Sequence, residues 1–196
     1  MEHRFPLAIE GKHILLRKVE VTDAEDIFRW RSGAAGKFLR QPENYSVQSQ
    51  IAWIKSRADS EINYMIIDKL TQQKVGFIGI YDVNHTDRVA NVGRLLLDEV
   101  YLSRSNPYGL EAMLMMYDHV LNEMNFRKIT GDILAINGAM VKLQIFLGMK
   151  QEGFLEKHVL INNNFEDLHI ISIFKETFNG TYKKKIAFLL KNFNPA

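Results

Sequence analysis

The 196-residue sequence contains no cysteine. Disulfides, thiolate-bound zinc, iron–sulfur clusters and every thiol nucleophile are therefore excluded, whatever compartment the chain occupies. Six histidines are present, His3, His13, His85, His119, His158 and His169, and no two lie three or four residues apart. A helical metal-ligand pair is missing with them, and no metal is expected. Gly-x-Gly-x-x-Gly, Gly-x-x-x-x-Gly-Lys-Ser/Thr and Gly-x-Ser-x-Gly are all absent, which removes the sequence signatures of dinucleotide, P-loop and nucleophile-elbow sites. Charge of one sign is not in excess either: 25 Lys+Arg against 23 Asp+Glu leaves +2, too little for a dedicated nucleic-acid binder. No stretch approaches 18 uninterrupted apolar residues, and the opening Met1-Glu2-His3-Arg4-Phe5-Pro6 lacks an apolar signal region. A cytoplasmic protein with neither a nucleic-acid nor a membrane partner is the expectation.

What remains is 46% hydrophobic residues in a chain of ordinary domain length. Folding at this size removes about 70% of the unfolded surface from water, enough for one self-sufficient core. The expected layout is one domain over 1–178 and a basic-apolar tail over 179–196, in which Thr181 to Lys191 can form a short amphipathic helix.

Periodicity gives the elements. A β-rich run at Ile14–Val19 is followed by Thr22-Asp23-Ala24-Glu25, the form of a capping box, leading into a helix with Ile27, Phe28 and Trp30. Val47, Ile51, Ile54 and Ala58 recur at helical spacing from a start near Ser46. The period then falls to two, and strands are expected around 62–67, 75–81 and 89–97, separated by polar turns. Pro107 opens an amphipathic helix with Leu110, Met113, Leu114, Tyr117, Leu121 and Met124 on one stripe. A strand at Lys128–Leu134, a helix from Gly138 to Leu147 closed by Gly148, and strands around 157–161 and 168–174 complete the order β-α-α-β-β-β-α-β-α-β-β. Hairpins combined with helical crossovers predict an α/β (α+β) fold with a mixed, mostly antiparallel sheet of about seven strands flanked by helices.

The strand–loop–helix junction at 89–110 places free first-turn amides and a positive helix end at one sheet edge, a geometry suited to phosphate, with Arg104 and Ser105 beside it. Arg104-Ser105-Asn106-Pro107-Tyr108-Gly109-Leu110-Glu111-Ala112 resembles the pyrophosphate loop of the GNAT superfamily of acetyltransferases, Gln/Arg-x-x-Gly-x-Gly/Ala. Arg104 and Gly109 match, whereas Pro107 replaces a glycine and lacks its N–H. The resemblance extends over roughly residues 10–175, through the Ile14–Arg17 and Val75–Gly79 strands and Asn137 heading a helix that ends Leu147-Gly148-Met149. Within the superfamily the chain is similar to the branch of ribosomal-protein N-terminal and aminosugar-nucleotide acetyltransferases; Ile27-Phe28-Arg29-Trp30-Arg31 and the helix carrying Trp53-Ile54 point to the aminosugar group.

This resemblance implies acetyl transfer from acetyl-CoA to a primary amine, with the coenzyme wedged where the 89–97 strand splays from the 128–134 strand. It implies cofactor contacts at Leu97, Arg104, Ser105, Asn106, Tyr108, Gly109, Leu110 and Asn137. Where relatives often carry a Glu on the 89–97 strand this chain has Asn91, where a Tyr acid is usual it has Gln144, and the family's helix Ser is Met140; Asn and Gln do not titrate near neutral pH. Glu99 is the first candidate base, with His85 and Asp87 as others, and Tyr101 and Tyr108 are the nearest candidate acids. Trp30 and Arg31 are expected at the substrate site, with Arg31 binding a substrate phosphate bidentately. The expected acceptor is a small-molecule amine such as an aminodeoxysugar nucleotide; a ribosomal-protein N-terminus and a CoA-binding module without turnover are the alternatives. The chain is expected to act as a monomer or homodimer.

Overall fold

A computed structural model describes residues 5–40, 42, 44–57, 61–102, 107–161 and 163–191. Eight strands form one sheet: β1 (Ala8–Glu10), β2 (Ile14–Lys18), β3 (Ile62–Asp68), β4 (Lys74–Asn84), β5 (Val89–Leu97), β6 (Lys128–Leu134), β7 (Lys150–Ile161) and β8 (Asn164–Phe174), in the order β1-β2-β3-β4-β5-β6-β8-β7. All neighbours are antiparallel except β5 and β6. The helices are α1 (Ala24–Ser32), α2 (Val47–Lys55), a single turn α3 (Glu99–Leu102), α4 (Tyr108–Asp118), α5 (Gly138–Leu147), a single turn α6 (Lys175–Thr177) and α7 (Lys183–Lys191). The expected mixed sheet is present with one strand more. The addition, β1, is a three-residue edge strand too short to show alternation.

Helices cover both faces. Every residue of β3 is buried, because Tyr64 and Ile66 join Ile14, Leu16, Ile78 and Ile80 beneath α4 and α7, while Met65 and Ile67 join Phe77 and Leu96 beneath α1. The α4 stripe continues through a π turn at His119–Glu123, so Met113, Met116, Tyr117, Val120, Leu121 and Met124 all reach the larger core. Truncating one of these fully buried side chains to Ala would cost about 2–5 kcal/mol. Phe178, Tyr182 and Ile186 lie in the same core, so the packing runs continuously from the 1–178 part into the expected tail.

Several boundaries differ from expectation for physical reasons. The capping box at α1 joins Glu20 to Asp23 rather than Thr22 to Glu25, and a 3-10 turn at Val21–Asp23 precedes the helix. Asp23 is buried and bonded by Arg17 (2.8 Å) and Lys74 (2.8 Å), which draws the start back one turn. Ser46 caps α2 as expected. Pro107 is the N-cap of α4 rather than its first residue. β7 begins seven residues earlier than its periodicity suggested, because it is the sheet edge and its first half is mostly exposed and polar. Gly148 ends α5 with φ 122, a conformation that favours glycine.

Candidate active site

β5 and β6 pair at only three positions, Val89↔Lys128, Ala90↔Ile129 and Asn91↔Thr130, and then separate. A cavity of about 580 Å³ opens between Val92–Leu95 on one strand and Gly131–Leu134 on the other. Its cause is visible in the register of β4 against β5. Phe77 faces Leu96 but Gly79 faces Gly93, so three steps on β5 match two on β4, and Arg94 inside this bulge has φ 57. A bulge bends its strand and leaves the extra residue out of the ladder, which turns β5 away from β6.

Arg94 organises one wall. Its guanidinium lies over the Tyr81 ring (4.3 Å) and faces the Trp53 ring (5.5 Å), and it is ion-paired with Glu61, which also receives Arg57 (3.0 Å). Burial disfavours ionisation of Glu61, but the hydrogen bonds and charges of Arg94 and Arg57 outweigh it and hold its pKa below the ordinary value. Glu61 is therefore held as the carboxylate counter-ion of Arg94 and Arg57. Tyr81 donates to Asp132 (3.3 Å) on β6. Burial, reinforced by the Asp132 charge, raises the Tyr81 pKa far above the usual phenol value, so this phenol remains a neutral donor. Asn91 donates to Asp82 (2.8 Å) and accepts from the Thr130 hydroxyl, stitching the last rung before the strands part.

A second cavity of about 270 Å³ lies beneath α2 and shares Arg31, Arg40 and Trp53 with the first. The 3-10 segment Ala34–Phe38 folds back on the end of α1 so closely that a Cβ at Gly36 would lie 1.9 Å from the Arg31 carbonyl oxygen. Arg31 donates to the Arg40 carbonyl, and its guanidinium sits 5.5 Å from the Tyr45 ring centre. Burial lowers its pKa and the nearby Arg94 charge adds to that; the arginine stays a cation in a site where positive charge is crowded.

The residues singled out in the sequence fall into three groups. Arg31 and Asn137 line the main cavity, and Asn137 also caps α5 by accepting from the Met140 amide (3.4 Å). Leu97, Gly109 and Leu110 meet where β5 ends against α4: a Cβ at Gly109 would sit 3.4 Å from Leu97. The α4 amides of Tyr108, Gly109 and Leu110 precede the first intrahelical bond, Glu111 N–H to Pro107 C=O. Glu99, Tyr108 and Trp30 direct their polar atoms elsewhere. The Glu99 carboxylate accepts from the Ala34 amide at the end of α1. The Tyr108 hydroxyl donates to Asp68 (2.8 Å) in the β3–β4 turn. Trp30 is 3% exposed, and its indole N–H donates to Asp98 (2.7 Å). Arg104, Ser105 and Asn106 lie outside the described residues. Trp53, Tyr81, Arg94 and Asp132 were missed as a group because they come from α2, β4, β5 and β6, and no spacing along the chain connects them. Among the described residues no cluster of three His, Asp or Glu side chains could hold a metal ion, and no helix is long and apolar enough to cross a membrane.

Comparison with known proteins agrees with this architecture. Residues 13–150 match the family described as "Acetyltransferase (GNAT) domain". The chain is 24% identical over 178 residues to a Bacillus subtilis protein described as "Probable N-acetyltransferase YjcK", covering 84% of this chain and 96% of that one. Among solved structures, a GCN5-related N-acetyltransferase from Brucella melitensis superposes with TM-score 0.80 at 17% identity, covering 97% of this chain and 90% of that one. A variant of the spermidine N-acetyltransferase SpeG from Vibrio cholerae gives TM-score 0.75 at 16% identity, covering 87% and 98%. These likenesses to solved structures are likenesses of fold.

Proposed function

Because this chain belongs to the GNAT acetyltransferase family, whose members use acetyl-CoA as cosubstrate, we propose that it transfers acetyl directly to a primary amine on a small anionic molecule, for which an aminodeoxysugar nucleotide fits the residues present. The observation that carries this reading is the junction of two cavities. One lies at the β5–β6 splay, where α4 contributes Met113 and Tyr117 to its lining, and the other, beneath α2, shares Arg31 and Arg40 with it. The α4 amides suit the coenzyme's phosphates, and the backbone groups freed at the β5 bulge suit the thioester carbonyl, whose oxygen gains negative charge when an amine attacks.

The acceptor amine arrives as an ammonium and must lose a proton before attack. Asp132 lines the cavity opposite Arg94 and is the carboxylate we assign to that proton, directly or through one water. Glu99, turned towards Ala34, is set aside for this role. With no cysteine in the chain, no acetyl-thiol intermediate on the protein can form, and the amine attacks the thioester itself. Arg31, Arg40 and Arg94 oppose a polycationic acceptor and favour one bearing phosphate or carboxylate. The same arginines count against the acidic-leaning channel that a peptide N-terminus would need.

Acetyl-CoA at 100 times its Kd should stabilise the fold by about 2.7 kcal/mol in a thermal-shift titration. Thiol release across a panel of sugar, nucleotide, amino-acid and polyamine acceptors then identifies the amine, and a thiol reagent reads coenzyme alone because the protein has none of its own. No thermal shift would overturn acetyl-CoA binding; a shift without release on any amine would leave a binding module; release with polyamines alone would overturn the anionic acceptor.

A further inference from the structure

Gln50, on α2, is 3% exposed, and its amide nitrogen Nε2 has no hydrogen-bond partner among the described residues. It lines the smaller cavity, the one beneath α2. A buried primary amide carries two donors, and leaving them unmet is costly unless an acceptor arrives. Neighbouring groups fix which way the amide points. The Arg31 guanidinium hydrogen-bonds the Tyr45 hydroxyl. Arginine only donates, so the Tyr45 oxygen accepts there and its own proton is directed elsewhere, to Gln50 Oε1 at 2.8 Å. Burial pushes the Tyr45 phenol up to about 12, against the opposing pull of Arg31, so it keeps this proton throughout the neutral range. Phe28 packs on the same ring, with centres 5.0 Å apart. The relay from Arg31 through Tyr45 uses up the Gln50 oxygen and leaves the NH₂ group as the amide's unspent face.

The walls say what could meet it. Arg31, Arg40 and Trp53 also line the main cavity and so mark the junction, whereas Pro42, Tyr45, Ser49 and Gln50 line the smaller cavity alone. Ser49 donates its hydroxyl proton to the Ser46 carbonyl (2.9 Å) and accepts from the Ser46 amide (2.9 Å). Among the described residues no acidic side chain lines this cavity. Beyond the junction, then, the only unspent polar group is one neutral donor among apolar surfaces, an environment that penalises a phosphate and accepts an uncharged ring bearing a carbonyl. The volume of about 270 Å³ equals about nine waters at about 30 Å³ each, the bulk of a single-ring base. Phosphates attached to such a base would fall at the junction, where Arg31 and Arg40 can pair with them.

We propose that the cavity beneath α2 is a subsite for a pyrimidine base with a ring carbonyl, uracil or thymine in type, and that Gln50 selects it by donating to that oxygen. The inference rests on the nucleotide-bearing acceptor proposed above and specifies its base. A cytosine-type base presents an amino group at the same edge, so donor meets donor and both are left unpaired. Gln50 is then a specificity-determining residue. Tyr45 is a positioning residue, since without its hydroxyl the amide is able to turn and offer its oxygen instead.

The test uses the full chain and needs no amine. UDP and CDP, which differ in one exocyclic group of the ring, are titrated calorimetrically with acetyl-CoA as a separate ligand. Wild type is expected to bind UDP about tenfold to 100-fold more tightly than CDP, the worth of one buried donor met or unmet. Gln50→Leu should remove most of this preference. Gln50→Glu should reverse it, because a carboxylate beside Tyr45 accepts from the cytosine amino group, and Tyr45→Phe should narrow it. Acetyl-CoA affinity should be unchanged in all three variants, which also shows that they fold. Equal affinity of wild type for the two nucleotides, binding of neither at millimolar concentration, or a Gln50→Leu protein that keeps the wild-type preference overturns the proposal. Acetyl transfer to an anionic amine that carries no nucleotide overturns this subsite and leaves the acetyltransferase reading intact, whereas wild type that fails to bind acetyl-CoA overturns that reading itself.

Discussion

Asp98, directly after β5, ties the acceptor wall to the sheet. Its Oδ2 accepts from the Trp30 indole at 2.7 Å and from Arg29 at 2.9 Å, and its Oδ1 accepts from the Val100 amide at 3.1 Å. Replacing it by Ala leaves a buried indole N–H unsatisfied and removes a charge-assisted bond, about 1.5–3 kcal/mol. Arg29 is 59% exposed and adds about 0–1 kcal/mol, and loss of the Val100 bond adds about 0.5–1 kcal/mol. Asp98→Ala should therefore lose about 3 kcal/mol in urea unfolding at pH 7. A double-mutant cycle with Trp30→Phe isolates the buried bond, for which a coupling of about 1.5–3 kcal/mol is expected. Burial disfavours the Asp98 carboxylate, but the bonds from Val100, Trp30 and Arg29 outweigh it and leave its folded pKa below the unfolded value. The stabilisation is then complete above about pH 5 and disappears as pH falls through the folded pKa, so the deficit of Asp98→Ala should shrink in acid. Because α1 carries Arg31, the variant should also raise the acceptor KM more than the Kd for acetyl-CoA. A coupling below about 0.5 kcal/mol would falsify the assignment of Trp30 and Asp98 as a structural clamp.

Gly109→Pro removes one of the first-turn α4 amides and should weaken acetyl-CoA binding about tenfold by calorimetry; unchanged affinity would show that the coenzyme phosphates do not rest on that helix. Asp132→Asn should lower kcat at neutral pH by about 10²-fold or more with little change in the Kd for acetyl-CoA, and recovery of rate at high pH would mark the loss of a proton acceptor; an unaltered pH–rate profile removes Asp132 from the mechanism. Asp23 is fully buried and, although burial opposes its ionisation, Arg17 and Lys74 hold its pKa down. Asp23→Asn should accordingly be less stable than wild type at pH 7 and lose less stability between pH 5 and 3, as read by urea melts at each pH; parallel losses in the two proteins would contradict the ion pairing.

Much of the fold was legible because periodicity is local. Val89–Leu97, Lys128–Leu134 and Gly138–Leu147 match the observed elements to the residue, since each carries a clear apolar pattern bounded by turn or cap residues. β1 and the first half of β7 were not legible, because exposed edge strands need no apolar alternation. The candidate site was legible in kind but not in membership. Trp30 and Glu99 look in sequence like surface groups near a ligand, yet each is consumed by a contact some 65 residues or more away in the chain, with Asp98 and with Ala34 respectively. Tyr81, Arg94 and Asp132 carry no motif at all; their meeting depends on the bulge in β5.

The amino-acid sequence by itself determined the type and order of most elements and, through the absence of cysteine, that any acetyl transfer is free of a thiol intermediate on the protein. Tertiary structure alone decided where β5 leaves β6, which arginines share a cavity, that Trp30 is a core residue, and that Tyr182 reaches back to hold Gln144. Apolar patterning specifies which face of each element turns inward, and that is encoded within a few residues. Which side chains then meet across the core depends on register, bulges and helix placement, set by packing among residues far apart in the chain.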